Sequence, residues 1–565
     1  MPSQTKTCRN CQRSFVIEPE DLEFYQKMQV PSPERCPKCR AERRLAFRNE
    51  RFFYNDKCKK CGKAIISQFS PESKLIVYCH DCYWKDDWSG QDFGREFNFE
   101  KTLGEQLREL HRIVPHLAVI HTDSENSEYT HLAANNKDCY MLIESSNNER
   151  CLHSYWLQRC KDSVDSCYSN DSELLYESDD LRDCYRVFYS RSSENCTDGY
   201  FLQSCRNCSD CFGCVNMSNK NFCVFNEQKT ENEYRDFITN RRLDTYSGVQ
   251  KARQDFHAFR LKHPARFAEI YKAENSTGNY IYNATNCRQA FHTFESENCK
   301  YVEHAMRDAR DCMDASTVGI QAELVYDSLN CALGVYRLRF CNQCWSSSSD
   351  LDYCFYCGGL NSGFGCVGIK KGEFCILNKV YSQEEFAKLQ SKIIDHLKKT
   401  GEWGSFLPPE NSLFGYNETA AQDIYPLSKD ESLQTGFGWR ENTGGTFGKE
   451  TIGQGALPES IHEVGENIVK EIFGCLECGR NYKIIANELA FYKQQGIPLP
   501  RECPDCRHRR RVSARGPNEL FKRVCMCKDD NHGHGGACQN HFETNIPTSD
   551  SRIVYCEECY REEIG

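Results

Sequence analysis

The residues with most capacity for chemistry are cysteines, and their spacing is ordered. Cys8-x2-Cys11 is followed by Cys36-Pro-x-Cys39, Cys58-x2-Cys61 by Cys79-x2-Cys82, and Cys475-x2-Cys478 by Cys503-Pro-x-Cys506. A two-residue spacer folds into a knuckle that offers two thiolates to one ion, so two knuckles make a tetrahedral four-cysteine zinc site. A fourth set closes the chain, with Cys556-x2-Cys559 joined by Cys525 and Cys538. Its first knuckle carries an insertion that includes KDDNHGHGGA, which makes Cys527, His532, His534 and His541 rival or additional ligands and leaves the fourth ligand open. The expected cofactor is Zn2+, about four ions per chain.

The elements that must position these ligands repeat. Cys8, Cys11, Cys36 and Cys39 return displaced by 467 residues, and FYQKMQVPSPERCPKCRAERR returns as FYKQQGIPLPRECPDCRHRRR. IVYCHDCY returns as IVYCEECY, so each end carries one copy of a two-site unit. Between them, GCVNMSNKNFCVFNEQKTENEY matches GCVGIKKGEFCILNKVYSQEEF at a displacement of 152. Within these central blocks Cys184, Cys196 and Cys208 lie 12 apart, and Cys287, Cys299 and Cys312 lie 12 and 13 apart. A unit this short is a strand and a corner, which predicts a β-solenoid with ladders of like residues.

The expected fold is therefore mainly β with helical insertions. Terminal zinc-ribbon or treble-clef-like modules surround a central Cys-rich β-solenoid, akin to a parallel β-helix, in two repeated halves. Its segments are a double zinc module (1–90), a partly helical connector (91–135), a first solenoid half (136–228), a helical stretch (229–278) and a second half (279–380). A helix (381–400), a Gly/Pro-rich linker (401–470) and a second double zinc module (471–565) complete the map.

Cys205-x2-Cys208-x2-Cys211-x2-Cys214 has a spacing close to that of an iron–sulfur loop. Its counterpart in the other half has Leu360 and Gly363 where Cys208 and Cys211 stand, which favours cysteines stacked for structure over zinc or a cluster. Cys341-x2-Cys344 with Cys354-x2-Cys357 poses the same choice.

Thirty-eight cysteines in 565 residues fall just below the level that signals a disulfide scaffold in a short secreted chain. Here Met1 to Arg13 hold no apolar signal core, so a cytoplasmic protein with reduced thiols is expected, with no membrane segment. The formal charge is −10, and four zinc–thiolate sites take it to about −18. Residues 1–82 carry 16 basic and 10 acidic side chains, and residues 121–228 carry 9 and 18. The basic head suggests phosphate contact by Arg40, Arg43, Arg44, Arg507, Arg509, Arg510 and Arg511, whereas the acidic whole favours pairing of those arginines within the molecule.

No phosphate-cradling glycine loop or nucleophile elbow is present, and the solenoid carboxylates Asp162, Asp165, Asp171, Glu177, Asp179 and Asp180 read as solvated turns rather than acid–base catalysts. The knuckle pairs, the phrase FYxxxxxPxPxRCPxCRxxRR and the closing IVYCxxCY resemble the zinc-ribbon domains of uncharacterised bacterial cysteine-rich proteins. A group of those proteins joins such ribbons to a central Cys-rich repeat, as DFGREFNFEKTLGEQLREL, ENSEYTHLAANNKDCY and FGYNETAAQDIYPLSKDE do here. The resemblance implies zinc binding. The reading that follows is a non-enzymatic zinc scaffold or adaptor that engages a protein partner. The alternatives are an RNA- or ribosome-associated zinc protein and a metal-dependent or redox enzyme.

Overall fold

The computed structural model describes residues 2–302, 313–314, 316–317, 326–327, 329, 337–345 and 348–564. The second-half position Cys312 lies outside them. The described chain is mainly β, with a zinc-type module at each end and coiled solenoid between.

The solenoid repeats every three residues. From Asp123 to Phe225 every third residue is left-handed, with φ between 45° and 67°. Side chains branched at Cβ are the ones this conformation tolerates least, and no Val, Ile or Thr occupies any of these corners. Four triads make a 12-residue turn, seen in the parallel registers Tyr155↔Cys167 and Cys167↔Asp179. Second-half turns take 11 to 13 residues, as in Ile270↔Ile281, Ser349↔Asn361 and Leu338↔Leu351.

The residue after each corner points into a narrow, closed lumen. It is mostly small or slim, for example Cys151, Ser154, Leu157, Cys160 and Ser163, all buried. Its amide is the critical group, because the donor faces the lumen side chain one turn earlier. Leu157 N–H donates to Ser145 Oγ at 2.9 Å, Leu181 N–H to Ser169 Oγ at 3.1 Å, Cys160 N–H to Asn148 Oδ1 at 2.9 Å and Cys151 N–H to Cys139 Sγ at 3.4 Å. The thiols in turn donate to carbonyls, Cys151 to those of Glu149 and Cys160, both at 3.5 Å. The thiols of Cys139, Cys151 and Cys160 are thus engaged in stacking and hydrogen bonds between turns.

Each half ends in the same way. Asn226 and Asn378 use their side-chain amides to exchange both hydrogen bonds with the backbone of Val215 and Val367, and an antiparallel hairpin follows. Helices then pack on the end, Glu231–Asn240 and Tyr246–Arg260 after the first half and Gln383–Thr400 after the second.

The two halves lie side by side and antiparallel. Tyr282 meets Asp180, Phe294 stacks on Trp156 at 4.4 Å, and Thr317 bonds Glu144 at 2.8 Å, so one half descends as the other climbs. Pairing starts at His121, earlier than the expected 136. Of the segment 401–470, expected as a linker, residues 403–437 are instead a packed strap, while residues 441–456 are largely exposed. Trp403, Phe406, Phe414, Tyr416, Ala421 and Phe437 are buried, because aromatic residues recur between its glycines and prolines. Its short helix Ala420–Ile424 contacts the helix of each outer zinc module.

Ser169→Ala removes the acceptor of a buried N–H and should cost about 1–3 kcal/mol. The check is the denaturant midpoint together with hydrogen exchange at the Leu181 amide. Ser169→Cys, which keeps an acceptor, should recover much of the loss.

Candidate metal centres

Each module site is built from a hairpin knuckle and the first turn of a helix. In the N-terminal outer site, strands Gln4–Thr7 and Ser14–Ile17 pair antiparallel and their turn carries Cys8 and Cys11. Cys36 caps the helix Pro37–Leu45, whose first turn carries Cys39. Proline after the cap suits the helix start, since its missing N–H would have no intrahelical partner there. Cys475, Cys478, Cys503 and Cys506 repeat this around the helix Pro504–Ser513.

The ligand atoms converge. Cys8, Cys11, Cys36 and Cys39 lie within 4.8 Å of one another, as do Cys58, Cys61, Cys79 and Cys82, then Cys475, Cys478, Cys503 and Cys506, and finally Cys525, Cys538, Cys556 and Cys559. A tetrahedron with zinc–sulfur arms of about 2.3 Å has edges of about 3.8 Å. The pairs Cys11–Cys36, Cys61–Cys79 and Cys478–Cys503 stand at 3.7, 3.8 and 3.8 Å. In all four sites the N–H of the helix-capping cysteine donates to the first knuckle sulfur, at 3.2 to 3.3 Å. That donor stabilises a thiolate, so the residues fit zinc. Every described cysteine is free of disulfide.

The last site resolves its open ligand. Cys525 completes the four-cysteine set, while Cys527 joins His532, His534 and the same Cys559 in a second convergent group. His541 lies on the strand His541–Thr544 and belongs to neither group.

The arginines after the outer sites are spent on the solenoid. Arg40 bonds Asp314 at 2.8 Å, Arg43 bonds Asp327 at 3.0 Å, and Arg44 bonds Asp327 at 2.7 Å, with every partner at most 4% exposed. At the other end Arg507 meets Asp165 at 2.8 Å and Glu488 at 3.0 Å, Arg511 meets Asp165 at 3.2 Å, and Arg510 meets Glu177 at 2.6 Å. The expected phosphate contacts are thus corrected for Arg40, Arg43, Arg44, Arg507 and Arg511. They are buried against carboxylates, because each outer helix lies on an acidic corner ladder. Arg509 and Arg510 keep exposure, although Arg509 also donates to Cys506 Sγ at 3.1 Å.

The candidate acid–base carboxylates are engaged as well. Asp162 pairs with Arg150, Asp171 with Arg159, Asp179 with Arg515 and Arg191, and Asp180 accepts from the Tyr282 hydroxyl. Burial raises Asp180 to about 6.

Sequence reasoning missed Arg48 and Arg515, which the 467-residue displacement makes equivalent. Arg48 reaches Glu144 of one half and Thr317 of the other. Arg515 bonds Asp179 and His292, with its guanidinium between the Tyr168 and Tyr280 rings at 3.9 and 3.7 Å. The inner sites correspond as well, displaced by 477 residues because of the insertion. Val77–Tyr78 pairs with His116–Leu117, and Val554–Tyr555 pairs with Ala265–Arg266. Pro115 and Pro264, and Glu125-Asn-Ser and Glu274-Asn-Ser, share a displacement of 149 that marks the two connectors as a third repeat.

Glu488 carries the pH dependence of the C-terminal anchor. Burial alone would raise its pKa, but His153 and Arg507 outweigh it and hold the group at about 2 against an ordinary 4.5. A depressed carboxylate contributes stability above its unfolded pKa and loses it as pH falls through the folded value. Hydrogen exchange in the helix Pro504–Ser513 should therefore rise between about pH 4.5 and 2. Glu488→Gln should lack that increment. Asp165→Ala, which strands Arg507 and Arg511, should cost about 3–5 kcal/mol.

No curated protein matches the chain. Residues 4–48 match the family model for the "Probable treble clef domain", the fold in which a knuckle and a helix N-terminus share one zinc ion, and this stretch is the N-terminal outer site itself.

Proposed function

We propose that the protein is a non-enzymatic zinc-binding scaffold that engages a protein partner through the outward faces of its two double zinc modules. One observation carries the reading. The helices of both outer sites are docked on the solenoid, while several large apolar side chains of the modules remain exposed. Val16, Trp84, Leu476, Val524 and Met526 are 41–55% exposed, and they occur on both modules. Apolar side chains carried on rigid metal-held turns are ones that a protein partner would cover on binding.

The scaffold fixes the distance between the two faces, so two weak contacts act as one strong one through effective concentration. An RNA-bound role has less support, since five of the seven arginines offered for phosphate are buried against carboxylates.

The test is capture of the full-length chain from its native extract, with identification of bound protein and RNA. Trp84→Ala in one module, or Leu476→Asp with Met526→Asp in the other, should each weaken partner retention on the order of 100-fold while zinc content holds. RNA that co-purifies in a salt-dependent way and is lost with Arg509→Ala and Arg510→Ala would replace this reading.

A further inference from the structure

We propose that the C-terminal inner module holds two ions, the second bound by Cys527, His532 and His534 and joined to the first through a shared Cys559 thiolate. Two tetrahedral ions that share one corner need seven donors. The module supplies seven: Cys525, Cys538 and Cys556 for one ion, Cys527, His532 and His534 for the other, and Cys559 for both. Each of the two groups converges to within 4.8 Å, and Cys559 is the one member common to them.

The local geometry supports ligation. Cys527 Sγ stands 3.1 Å from His532 Nδ1, and Cys559 Sγ stands 3.3 Å from His534 Nε2. A mixed sulfur–nitrogen edge around zinc is about 3.5 Å, so an ion would need shifts of a few tenths of an ångström. The His534 tautomer is set by its other nitrogen, since Nδ1 lies 2.9 Å from the Gly536 carbonyl and donates to it. That leaves the Nε2 lone pair directed at the metal position, the arrangement expected of a ligating histidine. His532 Nε2 faces the Glu563 carboxylate at 3.8 Å.

The insertion is folded to hold this geometry. Asp529 accepts from the Asn531 amide at 2.9 Å, and Asp530 accepts from the Gly536 amide at 3.1 Å. Cys527 is fully buried although much of the loop around it is exposed. Sulfur and imidazole donors in this mixture select zinc among divalent ions by ligand type and shape. His534 is only half-buried, and the bridging thiolate divides its charge between two ions, so the second ion should exchange faster than the other four. The N-terminal inner site has no counterpart, because its knuckle is the uninterrupted Cys58-x2-Cys61.

The inference stands whether or not the modules bind a protein partner. Its test compares zinc per chain in the full-length protein and in the His532→Ala, His534→Ala double variant, with release followed by a chromogenic zinc chelator. The double variant should contain one zinc fewer, and the fastest-released equivalent should be the one missing. Cys527→Ser should show the same loss of one equivalent, which guards against misfolding of a single variant. Equal zinc in parent and variants would overturn the proposal and leave hydrogen bonds between thiols and imidazoles. Loss of two equivalents would overturn it too, since the histidines would then support the four-cysteine site rather than an ion of their own.

Discussion

The structure depends on one unpaired donor. In a solenoid whose corners recur every third residue, the amide that follows each corner faces the lumen, and a buried N–H without an acceptor costs as much as a lost hydrogen bond. At many turns of the first half the chain answers with a side chain from the turn below. Serine accepts through Oγ, asparagine through Oδ1 and cysteine through Sγ, each also small enough for a lumen with no room for a ring. Cysteine is thus one of three residue types that serve both packing and hydrogen bonding in this lumen. Leu157 and Leu181 interrupt these with the apolar volume that closes the tube.

The same period of three governs the outside. Corner residues project from the tube, and Asp165, Glu177, Asp314 and Asp327 all occupy corners. Stacked turns bring such carboxylates into ladders that repel one another until a cation lies along them. Each outer zinc helix supplies that cation as a row of arginines spaced one turn apart. Taking both sets of charges from water cancels much of the Coulombic gain, so these pairs add less to stability than their number suggests. Their effect is on specificity, because a helix shifted along the ladder would leave charges buried without partners. The apolar ladder Leu152, Val164, Tyr176 and Phe188 beside the C-terminal module supplies the burial that the ion pairs do not.

What could be read from the sequence follows from how local each constraint is. A zinc knuckle is fixed by two intervening residues, so the cysteine sets of the first three sites are visible in the text, and so is the 467-residue relation between the modules. The solenoid was visible as a class. Its spacing showed through cysteines 12 apart, whereas the governing unit of three was concealed because serine, asparagine, leucine and cysteine alternate in the lumen. The antiparallel pairing of halves rests on Trp156, Tyr168, Tyr282 and Phe294, which are ordinary aromatic residues until the turns are stacked. The strap at 403–437 has a composition that resembles a linker, and only the burial of residues such as Trp403 and Tyr416 shows it to be core.

The duplication also shows where divergence was free to occur. Arg40, Arg44 and Arg48 correspond in position and in role to Arg507, Arg511 and Arg515, and the strand pairings of Val77 and Val554 correspond as well. These contacts hold modules to solenoid, and a change in any one of them would strand a charge or an amide. The insertion in the C-terminal inner knuckle takes part in none of these contacts. An insertion there disturbs no docking contact, and in the C-terminal copy that turn has gained Cys527 and two histidines. The scaffold thus constrains one face of each module and leaves the other to change, which places any difference in function between the two ends on the outward knuckles.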